Sequence, residues 1–128
     1  MTDALLRAAE AARRHAHAPY SRYRVGAAVQ TDDGAIYAGC NVENASYGLT
    51  ICAERAAVCA AVAAGARRIR RAIVVTDSDP PGAPCGACRQ VLAEFGLDME
   101  VTAVGPARQM QWRLRELLPD AFTGEVLQ

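Results

Sequence analysis

The spacing of apolar and polar residues along this chain predicts helices and strands in alternation. Apolar residues that recur every three or four positions predict helices, and strict alternation or short continuous apolar runs predict strands. In chain order, the predicted elements are helix 3–16, strand 25–31, strand 35–41, helix 52–64, strand 72–76, helix 86–95, strand 100–104, strand 110–113 and helix 114–118. This order predicts one α/β domain over residues 1–128, a three-layer α/β/α sandwich with a mixed five-stranded sheet.

Turn and cap residues support several of these boundaries. Thr2 or Asp3 is expected to cap the first helix, and Pro19 follows its end. Asp33-Gly34 predicts a hairpin turn between the first two strands. Residues 39–50 contain too many polar residues and glycines for a regular element, so we expect a loop there.

The second predicted helix has no polar side chain from Ala56 to Ala66. A helix that is apolar on every side is buried on every side. Because a chain of 128 residues can hardly surround one helix, we expect part of this helix to contact another subunit. The alternative is a central helix that is covered by its own sheet and neighbouring helices.

Charge and hydropathy argue against two classes of partner. The chain has 14 basic and 14 acidic residues, so its formal net charge of zero gives no general attraction to nucleic acid or to anionic membranes. No apolar run is long enough to span a membrane, and the first residues lack the pattern of an export signal, so we expect a cytoplasmic protein. The basic run Arg67-Arg68 and Arg70-Arg71 is expected to be a solvated helix end.

Three of the five cysteines form a pattern that is typical of a catalytic zinc site. Cys52 begins the second predicted helix, and Cys85 and Cys88 begin the third, so two helix N-termini would favour thiolate over thiol. A structural zinc site is closed by four protein ligands, whereas a catalytic site keeps one position open for water. Three cysteines with Glu54 nearby are the signature of zinc-dependent base deaminases.

The residues beside the cysteines suggest how such a site would work. One zinc ion per subunit would lower the pKa of a bound water, and Glu54 is expected to be the catalytic proton carrier. Three thiolates weaken zinc as a Lewis acid. Arg55 and Arg89 are therefore expected to donate hydrogen bonds to sulfur and to withdraw charge from the metal ligands.

Other interpretations of the motif remain open at this point. A Cys-x-x-Cys pair also occurs in redox proteins and in zinc ribbons. A purely structural zinc module would need a fourth ligand, for instance Cys40, and would leave Glu54 without a role. A nucleic-acid-editing module would use the arginine run, but zero net charge argues against it. Outside the metal site, Cys40 and Cys59 are expected to be small buried apolar residues.

Over nearly its whole length, the sequence resembles the small homotetrameric cytidine deaminases. The matching segments are Pro19-Tyr20-Ser21, Val25-Gly26-Ala27-Ala28, Gly39 to Arg55, Pro84 to Leu92, Glu116-Leu117-Leu118-Pro119 and Phe122. The resemblance implies a zinc enzyme that hydrolyses cytidine and 2′-deoxycytidine to uridine and 2′-deoxyuridine with release of ammonia, in pyrimidine salvage. It also implies a homotetramer with shared active sites, whose binding partner is a small-molecule nucleoside substrate.

The same resemblance implies roles for six further residues. Asn41 and Glu43 would bind ribose hydroxyls, and Tyr23 would pack on the nucleoside at a position where many relatives carry phenylalanine. The remaining three would act across a subunit interface: Ala45 through its backbone, Tyr47 on the sugar, and Phe122 by stacking on the pyrimidine. The alternative is a deaminase of another small cytosine-containing compound of the blasticidin type, which shares the cysteine motifs. The segment 41–47 favours the nucleoside.

Overall fold

The computed structural model describes residues 3–128, so the proposed cap at Thr2 lies outside the described residues. Asp3, the other predicted cap, is the N-cap residue of the first helix, and its side chain accepts a hydrogen bond from Leu5 N. In chain order, the elements are α1 Ala4–Arg13, β1 Gly26–Thr31, β2 Ile36–Cys40, a 3₁₀ turn Tyr47–Leu49, α2 Ala53–Ala63, β3 Ile69–Val75, α3 Gly86–Ala93, β4 Glu100–Val104, β5 Gln109–Arg113, α4 Leu114–Leu117 and a 3₁₀ turn Gly124–Leu127.

The five strands form one mixed sheet in the order β2-β1-β3-β4-β5. β1 is antiparallel to both β2 and β3, and β5 is antiparallel to β4. β3 and β4 are parallel, which requires a crossover connection, and α3 supplies it. The predicted mixed five-stranded sheet is confirmed.

Helices cover both faces of this sheet. Successive side chains of each strand point to opposite faces, so strands that are apolar throughout need a cover on each side. On one face, Ala28 and its neighbours pack against Leu5 and Ala9 of α1. On the other, Ala27 and Val29 join the larger core cluster, to which α2, α3 and α4 all contribute. The three-layer arrangement is therefore also as predicted.

Two glycines in the first hairpin allow the helices to approach the sheet closely. A Cβ atom at Gly26 would lie 2.1 Å from Ala9 O, inside α1. A Cβ atom at Gly39 would lie 2.5 Å from Ala57 N, inside α2. Both distances are shorter than real contacts allow, so only glycine lets α1 and α2 lie where they do.

The arginine run after α2 differs from the prediction. β3 begins at Ile69 rather than at residue 72, so Arg70 and Arg71 belong to a strand and not to a solvated helix end. Ile69 is buried and extends the strand into the core. Arg71 forms ion pairs with Asp3 and Glu100, which ties the start of α1 to the start of β4.

Helix α2 is covered on one side only. Its buried residues are Ala53, Glu54, Ala57, Val58 and Ala61, and its exposed residues include Cys59 and Ala60. Cys59 is therefore not the buried residue that we expected, and Cys40 is only partly buried. Within residues 3–128, no helix is long and apolar enough to cross a lipid bilayer.

Candidate active site

The three cysteines predicted to bind metal meet where two helices begin. Cys52 is the N-cap residue of α2, Cys85 is the N-cap residue of α3, and Cys88 lies in the first turn of α3. Their three Sγ atoms all lie within 4.8 Å of one another. Cys88 is fully buried and Cys85 is exposed, so the cluster opens to the surface on one side.

This arrangement fits a zinc ion. In a tetrahedral site with Zn–S bonds of about 2.3 Å, the sulfur atoms lie about 3.8 Å apart, and the upper limit of 4.8 Å in this cluster is close to that spacing. Neither Cys40 nor Glu54 belongs to the cluster. Because three protein ligands leave the fourth position free, the donor set is that of a catalytic zinc site rather than of a closed structural one.

The pKa values of Cys52 and Cys88 are shifted in opposite directions. The pKa of Cys52 is lowered to about 5, chiefly because Cys88 donates a hydrogen bond to it, with Arg55 lowering it further. The pKa of Cys88 is raised, first by this bond to Cys52 and then by burial. The cluster therefore favours a thiolate at Cys52, the form that binds metal.

Glu54 lies beside the cluster in the first turn of α2. It is only 7% exposed, and burial is the main reason that its pKa is raised to about 7. The nearby Cys52 thiolate raises the pKa further, whereas Arg55 lowers it. A carboxyl group with a pKa near neutrality both takes up and releases a proton at physiological pH, as a general acid–base group requires.

A cavity of about 190 Å³ opens in front of these groups. It is lined by Tyr23, Val25, Asn41, Thr50, Cys52, Ala53, Glu54, Val74, Thr76, Gly82, Ala83 and Cys85. The structure thus places the predicted proton carrier, two of the predicted metal ligands and two predicted substrate contacts around one space. We call this cavity the catalytic pocket.

A larger cavity of about 730 Å³ shares no residue with the catalytic pocket. Its lining carries charges of both signs, including Arg68, Arg113, Glu94 and Asp98. None of the predicted site residues lines it. The metal-binding cluster, rather than cavity size, therefore locates the candidate active site.

Asn41 lines the catalytic pocket and also supports its wall. Its Oδ1 accepts a hydrogen bond from Val25 N at 2.9 Å, and its Nδ2 donates to Tyr23 O at 2.7 Å. Each amide atom has capacity for one more hydrogen bond. Asn41 is thus able to fix the segment that precedes β1 and still contact a ligand.

Glu43 lies in an adjoining cavity of about 240 Å³, which shares Thr50 with the catalytic pocket. Its carboxylate accepts hydrogen bonds from Tyr20 N at 2.9 Å, from Ser21 N at 3.2 Å and from the Ser21 hydroxyl. The Ser21 hydroxyl bond is the main reason that the pKa of Glu43 is lowered. Glu43 is therefore an ionised acceptor next to the catalytic pocket.

Besides Glu43, three predicted substrate contacts lie outside the catalytic pocket of their own chain. Tyr47 lines the Glu43 cavity while 73% exposed, and its ring meets that of Tyr20 edge to face. Ala45 is exposed and lines neither cavity. Phe122 is 56% exposed and lines neither cavity, and its carbonyl oxygen accepts a hydrogen bond from Gln90 Nε2.

Arg55 and Arg89, both predicted to donate hydrogen bonds to sulfur, have different kinds of hydrogen-bond partner. Arg55 Nη2 lies 3.4 Å from Cys52 Sγ and 3.3 Å from Thr50 O, so it donates to a metal-binding sulfur as expected. Arg89 does not follow the expected arrangement, because its Nε donates to Pro84 O and its Nη1 donates to Leu117 O. Arg89 therefore holds the residue before Cys85 against α4 through backbone carbonyls.

The sequence pattern did not identify Thr76 and Gly82 as pocket residues. Both line the catalytic pocket, and Thr76 is a buried polar residue directly after β3. A polar residue at the end of a buried strand and a glycine close before Pro84-Cys85 were the available signals. Gly82 N donates a hydrogen bond to Thr76 Oγ1, and this contact forms only because the chain folds back between β3 and α3.

Comparison with known proteins relates this geometry to one family. Residues 1–104 match the family described as the cytidine and deoxycytidylate deaminase zinc-binding region. The cytidine deaminase of Sporosarcina psychrophila is 43% identical over 127 residues, which cover 98% of this chain and 93% of that protein. The cytidine deaminase of Mycobacterium tuberculosis is 50% identical over 107 residues, which cover 84% of this chain and 78% of that protein.

A solved structure agrees with these sequence matches. The crystal structure of cytidine deaminase from Burkholderia pseudomallei superimposes with a TM-score of 0.90 at 50% sequence identity. The superposition covers 95% of this chain and 100% of that one.

Proposed function

The chain belongs to the cytidine and deoxycytidylate deaminase family, and we propose that it hydrolyses the 4-amino group of cytidine and 2′-deoxycytidine. The products are uridine or 2′-deoxyuridine and ammonia, a reaction of pyrimidine salvage. The observation that carries the proposal is the cluster of three sulfur atoms beside a buried glutamate in one pocket.

The chemistry divides between the metal and Glu54. When bound by the three cysteines, zinc supplies a Lewis acid that makes water nucleophilic near neutral pH. Glu54 takes one proton from the water that attacks C4 and delivers it to N3 of the pyrimidine. Glu54 then carries the second water proton to the 4-amino nitrogen. The C4–N bond breaks, ammonia leaves, and the oxygen stays on C4 as the carbonyl of uridine.

The residues around Glu54 support a nucleoside as the substrate. We assign Asn41 and Glu43 to the ribose hydroxyls and Tyr23 to packing against the nucleoside. The Glu43 cavity adjoins the catalytic pocket at Thr50, so a base held at Glu54 would extend its sugar toward an ionised carboxylate acceptor.

We further propose a homotetramer in which subunits share active sites. A catalytic pocket of about 190 Å³ is smaller than the 300–1,000 Å³ that ligand pockets usually have, which supports completion of the site by another copy. Ala45, Tyr47 and Phe122 are exposed in the single chain and are our candidates for these contacts. The exposed side of α2 around Ala60 is the candidate packing surface.

The free cysteines are consistent with a reducing compartment, and we place the enzyme in the cytoplasm. The proposed activity is tested by following the ultraviolet absorbance of cytidine and 2′-deoxycytidine with the purified zinc-loaded protein. Cytosine, adenosine and blasticidin S serve as comparison substrates. Conversion of both cytosine nucleosides alone supports the proposal, whereas conversion of cytosine or blasticidin S without cytidine refutes it.

The shared site is tested with two inactive variants. Cys85→Ala removes a metal ligand, and Phe122→Ala removes the aromatic ring that we assign to the neighbouring subunit's site. Mixed oligomers of the two variants would contain some sites with both an intact metal cluster and an intact ring. Recovered activity is the expected result. An active monomer in light scattering, or no recovery in verified mixed oligomers, contradicts the shared-site model.

A further inference from the structure

Three hydroxyl groups beside the catalytic pocket form one hydrogen-bonded chain. Tyr23 Oη lies 3.2 Å from Ser78 Oγ, and Ser78 Oγ lies 2.9 Å from Thr76 Oγ1. Thr76 Oγ1 also accepts hydrogen bonds from Gly82 N at 3.2 Å and from Ser78 N at 3.4 Å. We call Tyr23, Ser78 and Thr76 the hydroxyl chain.

The donors and acceptors at one end of this chain are fixed. A threonine hydroxyl has one proton and two lone pairs. Two backbone N–H groups occupy both lone pairs of Thr76 Oγ1, so its proton must go to Ser78 Oγ. Because Thr76 is only 4% exposed and directly follows β3, the chain is anchored in the rigid part of the sheet.

The hydroxyl chain connects two segments of the chain that both line the catalytic pocket. Tyr23 precedes β1, whereas Gly82 lies in the segment that leads to the metal-binding residue Cys85. A Cβ atom at Gly82 would lie 2.6 Å from Tyr23 Oη and 3.2 Å from Thr76 Cγ2. The phenol hydroxyl is therefore packed directly against the backbone of Gly82, so phenylalanine at position 23 would lose this contact together with the bond to Ser78.

We propose that Tyr23 is a positioning residue whose hydroxyl, through Ser78 and Thr76, fixes the spacing between the aromatic wall and the segment ending at Cys85. This spacing sets the size of pyrimidine that the pocket accepts, so the hydroxyl chain is a determinant of substrate specificity. The inference rests on the proposed function. Tyr23 and Gly82 both line the catalytic pocket, so 5-methylcytidine, whose pyrimidine is larger by one methyl group, is a suitable probe.

The first test measures kcat and KM for cytidine and 5-methylcytidine in Tyr23→Phe and Ser78→Ala. We expect kcat/KM for cytidine to fall about 2- to 12-fold, the range for one hydrogen bond, mainly through KM. The preference for cytidine over 5-methylcytidine should fall as well, with zinc content and Tm close to wild type. Because both variants break the bond between Tyr23 and Ser78, the double variant should lose less than the sum of the two single losses.

Tyr37→Phe is the matched control, because Tyr37 lies on β2 outside the catalytic pocket. It should leave both kinetic constants and the substrate preference unchanged. A wild-type preference in both Tyr23→Phe and Ser78→Ala overturns the inference. If the wild-type enzyme does not deaminate cytidine at all, the proposed function fails instead, so the two failures are distinguishable.

A second test uses Gly82→Ala, whose added methyl group would collide with Tyr23 Oη. In a Tyr23→Phe background this oxygen is absent, and the closest remaining atom is Thr76 Cγ2 at 3.2 Å. The double variant should therefore be more active on cytidine than Gly82→Ala alone. Equal or greater loss in the double variant contradicts the packing of Tyr23 against Gly82, whatever the stability of the single variant.

Discussion

Replacing Glu54 with glutamine tests the central step of the proposed reaction. The glutamine side chain would keep the volume of the glutamate but could act neither as an acid nor as a base at neutral pH. Burial and the nearby Cys52 thiolate both disfavour the ionised form of Glu54, which is why its pKa is raised to about 7. A neutral amide avoids both penalties, so Glu54→Gln should leave folding and zinc binding intact or slightly improved.

The expected loss of activity is large because one residue moves both protons. A general acid–base group usually contributes about 10²- to 10⁴-fold to the rate. On the reaction barrier this corresponds to about 2.7–5.5 kcal/mol. With a pKa near 7, Glu54 has both protonation forms available at neutral pH, so we expect kcat to fall by the upper part of this range.

The assay follows cytidine absorbance for kcat, with bound zinc and Tm measured on the same samples. Glu10→Gln, a substitution at an exposed position of α1, is the matched control and should have the kcat, zinc content and Tm of the wild type. A stoichiometric loss of zinc in Glu54→Gln would make Glu54 a metal ligand. A loss of activity below tenfold would mean that another group transfers the protons.

Three further predictions concern the metal site and stability. Arg55→Gln removes the hydrogen bonds to Cys52 Sγ and Thr50 O, so deaminase activity should fall while circular dichroism stays unchanged; full activity would leave Arg55 without a role at sulfur. Chelation should abolish activity and lower Tm, and added zinc but not magnesium should restore both. The hydrogen bond from Arg71 lowers the pKa of Asp3, so the ionised carboxylate stabilises the folded state. This stabilisation is complete above about pH 4 and is lost as the pH falls further and Asp3 takes up a proton. Urea unfolding should show a smaller loss between pH 5 and pH 3 in Asp3→Asn than in wild type.

Much of the fold followed from local patterns in the sequence. Helix α1 and strands β1 and β2 were predicted because apolar periodicity, the Asp3 cap and the Asp33-Gly34 turn agree with one another. The exceptions depended on contacts between distant residues. Arg71 lies in a strand because it pairs with Gln30 of β1 and with Glu100 of β4, which are distant along the chain, and no local pattern contains that information.

The site was predictable to a similar extent. The metal cluster followed from cysteine spacing because Cys52 and Cys85 each begin a helix. The actual partners of Arg89 did not follow, since Leu117 O lies 28 positions away along the chain. The hydroxyl chain of Tyr23, Ser78 and Thr76 was likewise not predictable, because it forms only when the turn after β3 folds back toward the segment before β1.

The register of the sheet explains why one pocket collects residues from such separate segments. Gly26, the first residue of β1, pairs with Cys40 at the end of β2 and with Val75 at the end of β3. The start of β1 and the ends of its two neighbouring strands therefore lie at the same end of the sheet. This follows from the antiparallel pairing of β1 with both strands.

The chain enters the sheet once and leaves it twice at that end, and each of these three crossings supplies a pocket residue. Tyr23 comes just before β1, Asn41 directly follows β2, and Thr76 directly follows β3. A slip of β1 by one residue would turn its side chains to the opposite faces and bury the wrong residues against α1 and α2. Gly26 opposes such a slip, because a residue with a Cβ in its place would collide with Ala9 O. The close packing of α1 on the first hairpin thus fixes the alignment of the three segments that form the catalytic pocket.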